Sequence, residues 1–496
     1  MSKLKVFILN TLTSVIASIL FRIAFLWFNI FVSNKVGAES MGVYSLIMSV
    51  YTVLIAISAS GLNLAASRIT AEEIARGNDK SAIKNVYNCI TFGLLCSFCA
   101  CVIIFTFNEP IAKILLHGKV HSSTVKKLCI SLPFISVSSA ISGYFTAIRQ
   151  AYKMSLVQFF ENFSEIAVAV ILLNIIPRVD ADGICLILIL SNAFSKILAF
   201  IIHISLFYIE IKKPKSVGKG TNTIKRMFKI VLPVAVSSHI KSALSGLKHT
   251  LVPLKLEKYT NNCGAALGEY GKINAMAMPI ITFPCCLFTS IANLLVPEIA
   301  SLCVLKQNKK IAAILSKIHK YTIIISVYTI SILILYGCEM GDIFYKNRAV
   351  GRYIMYLAPI IPFIYYDCTV DAVLKGIDKQ IWVVLINITD TIICIILINF
   401  ILPVMGTTGY ILIIYISEIY NGITSNLILK RSLKYKTDTA NSIIKPAVSA
   451  IVSASVLKLF NLNTISSFIV FSFLYTLILF ILKAVKKDEI KIIAKM

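Results

Sequence analysis

Arg22 stands in the run Ile19-Leu20-Phe21-Arg22-Ile23-Ala24-Phe25, where it is the only charge. A guanidinium is a planar, permanently charged donor that pairs best with carboxylates and phosphates. Ser14 and Ser18 precede it and Asn29 follows, all near one face of a helix. A second polar stripe comprises Ser238, Lys241, Ser245 and Lys248, with Ser242 and His249 beside it. Spacings of three and four residues put the stripe on one side of a helix. Fixed cations set among hydroxyls suit an anionic ligand such as a phosphate or pyrophosphate. The expected binding groups are therefore Arg22, Lys248 and Lys241, supported by Ser18, Asn29, Ser238, Ser245 and His249. An alternative is that Arg22 and Lys248 pair with the acids Glu161 and Glu165 and only hold helices together.

The remaining charges within apolar runs are fewer. Glu161 and Glu165 lie four residues apart with Asn162 between them, as do Asp367 and Asp371, and Asp390 and Glu418 stand singly. A carboxylate inside a bilayer is costly and usually binds a cation, relays protons or neutralises a neighbour. Glu161, Glu165 and Asp390 are the expected ion-coupling candidates, for Na+ or H+. Lys196 shares a face with Asn192 and His203 and reads as an interlobe contact or a cavity wall; Lys458 reads as a snorkelling lysine near a helix end.

These residues need elements to hold them. The chain has 496 residues, 57% hydrophobic and 15% charged, with mean hydropathy +0.83. Apolar runs of bilayer-spanning length recur from end to end. They predict an all-α integral membrane protein of about fourteen transmembrane helices. The first run reads as a retained helix rather than a cleaved leader. Counted by loop, about 32 cations fall on one side against about 12 on the other, which predicts both termini in the cytoplasm. The same pattern accounts for the net charge of +26 without a nucleic-acid partner.

Residues 226 positions apart match. Gly42 and Tyr44 meet Gly268 and Tyr270, Lys84 meets Lys310, and Pro133 meets Pro359. Arg149 and Lys153 meet Lys375 and Lys379; Pro177 and Gly183 meet Pro403 and Gly409. Arg22 falls on Lys248. The repeat predicts two parallel six-helix lobes, at 1–210 and 229–430, joined by a basic cytoplasmic linker at 211–228. Two further helices and a basic tail occupy 431–496. Parallel repeats place a substrate site at their interface in one common transporter plan.

Signals of soluble chemistry are missing. There is no Gly-rich phosphate loop and no His-Glu-x-x-His. Thirteen cysteines include Cys96-x-x-Cys99, but no second pair or histidine cluster accompanies it, and most lie in apolar runs. No catalytic residue, metal or cofactor is expected.

The segment Val36-Gly37-Ala38-Glu39-Ser40-Met41-Gly42-Val43-Tyr44, with Ala59-Ser60-Gly61-Leu62, resembles the start of the polysaccharide-export flippases, most of all the stage V sporulation protein B group. Leu232-Pro233, Val252-Pro253, Leu267-Gly268-Glu269-Tyr270-Gly271, Ala275-Met276-Ala277-Met278-Pro279 and Leu295-Val296-Pro297 are similar to its seventh and eighth helices. Asn162 and Glu165 resemble its Gln-x-x-Glu. The resemblance implies the multidrug/oligosaccharidyl-lipid/polysaccharide exporter fold, working by alternating access in a bacterial cytoplasmic membrane. It implies flipping of an undecaprenyl-pyrophosphate-linked saccharide, lipid II-like, for envelope or spore cortex synthesis, beside envelope-synthesis enzymes and membrane lipids. It departs at Trp27 and Phe28, at Met276 and Met278, and at Lys248, where related proteins differ in charge. Two other readings stay open: a Na+- or H+-coupled multidrug or metabolite antiporter of the same fold, and a non-transporting scaffold.

Overall fold

Backbone amides in hydrocarbon have no water to bond, so a chain of apolar runs satisfies them within helices. The computed structural model describes residues 3–148, 150–176, 180–211, 223–433, 440–457 and 464–484. Arg149, Pro177, the linker at 212–222, Lys458 and the tail from 485 lie outside the described residues, as do the side chains of Ser14 and Ser18. The helices are α1 (Lys3–Ala59), α2 (Leu62–Ala75), α3 (Asp79–Pro110), α4 (Ser122–Lys127), α5 (Leu132–Ala147), α6 (Ala151–Ile175), α7 (Ala181–Ile211) and α8 (Thr223–Thr260). They continue as α9 (Cys263–Tyr270), α10 (Met278–Thr282), α11 (Cys285–Val304), α12 (Asn308–Tyr345), α13 (Arg348–Leu357), α14 (Ile361–Gly376), α15 (Gln380–Ser432), α16 (Lys445–Leu457) and α17 (Thr464–Ile481). The chain is an all-α, multi-pass membrane protein.

Among the described residues nine helices are long and apolar enough to cross a bilayer. Two of them are double. α1 has 57 residues, about 85 Å of helix at 1.5 Å per residue, far more than one bilayer core. It breaks at Gly37 (φ 80°, ψ 172°), and α15 breaks at Gly406 (φ 56°, ψ −135°). Both conformations lie where only glycine is unstrained. Dividing the chain at these breaks, and adding α11, α16 and α17, is consistent with the expected fourteen spans.

The repeat recurs in the breaks. Gly37 corresponds to Cys263, the first residue of α9, and Gly61, just before α2, corresponds to Leu287 at the start of α11. His121 and Asn347, again 226 positions apart, are the residues preceding α4 and α13. A short 3-10 turn interrupts each of the helices that follow, at Leu128–Ser131 and at Ala358–Ile360, beside Pro133 and Pro359.

The contacts divide the chain into two compact units, Lys35–Gly271 and Met1–Asn34 with Lys272–Met496. The first helix of each repeat therefore groups with the later helices of the other repeat: residues 1–34 with the second half, and α8 with the first. This grouping differs from lobes drawn at 210 and 229, and its physical basis is local. In the unit holding residues 1–34, Asn34 Nδ2 donates to the Phe344 carbonyl at 2.6 Å. In the other unit, α8 is in contact with α2 and α3, and Gly246 faces Val53.

The Lys35–Gly271 unit also contains a backbone crossing. A Cβ on Gly42 would stand 2.2 Å from the Leu267 carbonyl oxygen, and one on Gly271 would stand 2.0 Å from that of Ala38. Small residues are what let helices approach this closely in lipid, where packing rather than water exclusion drives association. Gly271→Ala is therefore expected to destabilise by about 1–3 kcal/mol. Gly268→Ala, about one turn away with nothing within 4 Å of its Cβ, should be neutral or slightly stabilising. Melting of the detergent-solubilised variants checks this; equal midpoints for Gly271→Ala and wild type would refute the crossing.

Candidate functional site

In the unit formed by residues 1–34 and 272–496, Arg22 is half-buried on α1. Among the described residues it forms no ion pair. Its charge, with those of Asp367 and Glu418, acts on the Cys285 thiol at the start of α11, so these groups share one neighbourhood. The acids there are engaged. Asp367 accepts from Ser425 Oγ at 3.0 Å, and buried Asp390 accepts from Ser417 Oγ at 2.7 Å. The Asn29 Oδ1 lies 3.3 Å from the Tyr345 hydroxyl, which donates to the Met276 carbonyl at 2.9 Å.

In the Lys35–Gly271 unit, α8 carries the lysine stripe. Only 6% of its most apolar stretch is buried, against 61% for the span Ser122–Ala147, so α8 is a peripheral helix with open faces. Ser238, Ser245 and Lys248 are half-buried and Lys241 is exposed. Neither lysine has an ion pair among the described residues. His249 turns to a different face, where its Nδ1 lies 3.0 Å from the hydroxyl of fully buried Tyr270. It ties α8 to α9 and does not extend the stripe.

The expected alternative partners of Lys248 are already committed within this unit. Glu161 is bonded to Lys196. Glu165 accepts from Asn192 Nδ2 at 3.0 Å, and Asn192 Oδ1 accepts from the Tyr51 hydroxyl at 2.8 Å. Glu161 and Lys196 line a cavity of about 210 Å³ with Asn63, Ser138, Ser142 and His203. Ser138 Oγ there is buried without a protein partner, which leaves room for a polar guest. Lys196 and His203 thus face one space, as their spacing indicates. Asn63 and the α5 serines went unnoticed in the sequence, although the four-residue interval between Ser138 and Ser142 is itself a helical spacing.

Both ends of α8 are pinned. At its start, Arg226 bonds Glu72 and lies 3.2 Å from fully buried Glu73, which also takes Arg76 at 3.1 Å and Asn78 at 3.3 Å. At its far end, Glu257 Oε2 lies 3.3 Å from His117 Nδ1 in the turn after α3. Burial pulls the His117 pKa below its ordinary value, with Glu257 working against that shift. Close by, Lys119 Nζ meets Glu39 Oε1 at 2.9 Å, and that hydrogen bond raises the lysine pKa. Neither acidic latch was singled out in the sequence, because Glu72, Glu73 and Glu257 sit at helix ends among ordinary surface charges.

The expected cations are therefore distributed one set to each unit, with Arg22 in one and Lys241 and Lys248 in the other. Arg22 and Lys248 occupy equivalent positions of the repeat, on the two exchanged first helices.

The fold is that of known transporters. The lipid II flippase MurJ, in an inward closed conformation, matches with a TM-score of 0.72 and 15% identity over 95% of this chain and 97% of its own. An inward-facing multidrug resistance MATE family transporter of the MOP superfamily matches with a TM-score of 0.63 and 15% identity, over 84% and 94%. Stage V sporulation protein B of Bacillus subtilis (strain 168) is 21% identical over 378 residues, 75% of this chain and 73% of that protein. Residues 7–303 match the polysaccharide biosynthesis protein family, and the chain belongs to that family.

Proposed function

We propose that the chain is a flippase for a lipid-linked saccharide precursor carrying a pyrophosphate head, lipid II-like, working by alternating access in a bacterial cytoplasmic membrane. The observation that carries this reading is the pair Arg22 and Lys248: repeat-equivalent cations on intramembrane helices, neither in an ion pair among the described residues. An unpaired charge in a span is expensive and is kept where a ligand or water meets it. Each cation, in its own unit, suits a phosphate group of such a head, and Lys241 would follow the anion along α8. Ser238 and Ser245 would supply hydroxyl donors. The names of the similar proteins, a lipid II flippase and a sporulation protein, support a role in envelope or spore cortex synthesis, beside envelope-synthesis enzymes. The positive-inside bias supports cytoplasmic termini.

Translocation of fluorescent lipid II in proteoliposomes tests the reading. Wild type moves the lipid, and Arg22→Ala and Lys248→Ala each slow it roughly tenfold or more at equal reconstitution, the loss of one hydrogen bond to a charged group. Unchanged rates in both variants would show that neither cation holds the head group, and a wild type that moves neither lipid nor dye favours a scaffold. If wild type moves no lipid but exchanges a cationic dye against Na+ or H+, the antiporter reading replaces it.

Cation coupling is assigned to the cavity beside Glu161 and Lys196, with Asp390 as the alternative. Glu161→Gln leaves Lys196 unpaired and is expected to cost about 2–5 kcal/mol, toward the low end because both side chains are partly exposed (18% and 24%). The double variant Glu161→Gln, Lys196→Met should melt close to wild type yet transport without dependence on a Na+ or H+ gradient. Gradient dependence that survives in the double variant moves the coupling site to Asp390.

A further inference from the structure

We propose that the Lys35–Gly271 unit binds a divalent transition-metal ion of the zinc type at His117, Glu257 and Cys263. A ring nitrogen of His117, a carboxylate oxygen of Glu257 and the Cys263 Sγ all lie within 4.8 Å of one another. Around a tetrahedral zinc such donors stand about 3.3–3.8 Å apart, so the ligands need to close by about 1 Å. Glu257 has the freedom to do so, since its side chain is 41% exposed at the end of α8.

His117 carries the second, independent observation. Its side chain is only 7% exposed, although it sits in a turn with left-handed backbone (φ 53°) followed by Gly118 (φ 67°). Nδ1 faces Glu257, and Nε2 is buried with no hydrogen-bond partner. A buried imidazole with one nitrogen on a carboxylate and the other unpartnered has ligating capacity that the protein itself leaves unused.

The donor set selects the ion. Nitrogen, sulfur and one carboxylate suit zinc, cobalt or a neighbour in that series, while calcium and magnesium prefer all-oxygen shells. Glu257 and a Cys263 thiolate would neutralise a dication. The sulfur gives up its proton to solvent on binding. Glu39 lies alongside: its carboxylate oxygens are 3.2 Å from where a Cβ on Gly264 would stand, and Lys119 holds it. The fourth position falls to water or to Glu39 released from that lysine.

Such an ion would clamp three separate elements: the turn after α3, the end of α8 and the start of α9. It adds a coordinate bond to the weak latch at one end of the exchanged helix. With the termini cytoplasmic, this end of α8 faces outward.

The test uses the tag-free full chain in detergent, stripped with chelator and titrated with Co2+. The readout is metal binding, so it stands or falls apart from any transport assay. One Co2+ per chain should bind with a thiolate-to-metal charge-transfer band in the near ultraviolet, displaced by Zn2+. Cys263→Ser should abolish the band, and His117→Gln and Glu257→Gln should weaken binding at least about tenfold. Cys99→Ser, an exposed cysteine elsewhere, should leave it intact. Melting in chelator, expected to match wild type for each variant, separates ligand loss from misfolding. No saturable band in wild type, or a band that survives Cys263→Ser, overturns the site.

Discussion

A charge inside a bilayer must find a partner or serve a function that justifies its cost, and this constraint sorts the polar residues of the whole chain. Four of the intramembrane acids have identified donors. Asp390 takes Ser417, Asp367 takes Ser425, Glu161 takes Lys196, and Glu165 takes Asn192. The cations divide differently. Lys196 is paired within its unit, whereas Arg22, Lys241 and Lys248 keep their charges without an ion pair among the described residues. The proposed anionic ligand rests on this asymmetry.

Those cations sit on the two helices that exchange between repeats. Each first helix packs with the later helices of the other repeat, so neither unit is built from one repeat alone. In the Lys35–Gly271 unit polar bonds at Arg226, His249 and Glu257 hold α8, while backbone approach at Gly42 and Gly271 joins α1 to the segment around α9. This solution suits lipid, where small residues gain dispersion contacts without exposing amides. The breaks at Gly37 and Gly406 serve the same layout: they let one continuous helical run become two spans, each of bilayer length.

The helices and the repeat were legible in the sequence because both are written in long periods: apolar runs of about 20 residues and matches 226 positions apart. The exchange of first helices was not legible, since it depends on which faces meet and not on where spans begin. The candidate site was half legible. Intramembrane charge picks out Arg22, Lys248 and Glu161 directly. The spacing of Asn29 and His249 did not show their contacts with Tyr345 and Tyr270, which depend on how the side chains turn. The cluster of His117, Glu257 and Cys263 was invisible for another reason. Its ligands come from three elements, and the cysteine spacing that drew attention, Cys96 and Cys99, belongs to one helix.

The manner in which α8 is held bears on how its lysines could move. Arg226 fixes one end to Glu72 and Glu73, and Glu257 meets His117 at the other. Between these pins the helix is little buried and contains Pro233 and Pro253. Each proline removes a backbone hydrogen bond and weakens the helix locally. Lys241 and Lys248 lie between the two prolines, with His249 beside them bonded to Tyr270. A helix pinned at its ends and softened on either side of its charges can bow without releasing either latch. Displacement of the lysines then costs bending at two prolines, far less than breaking the buried Glu73 network at one end.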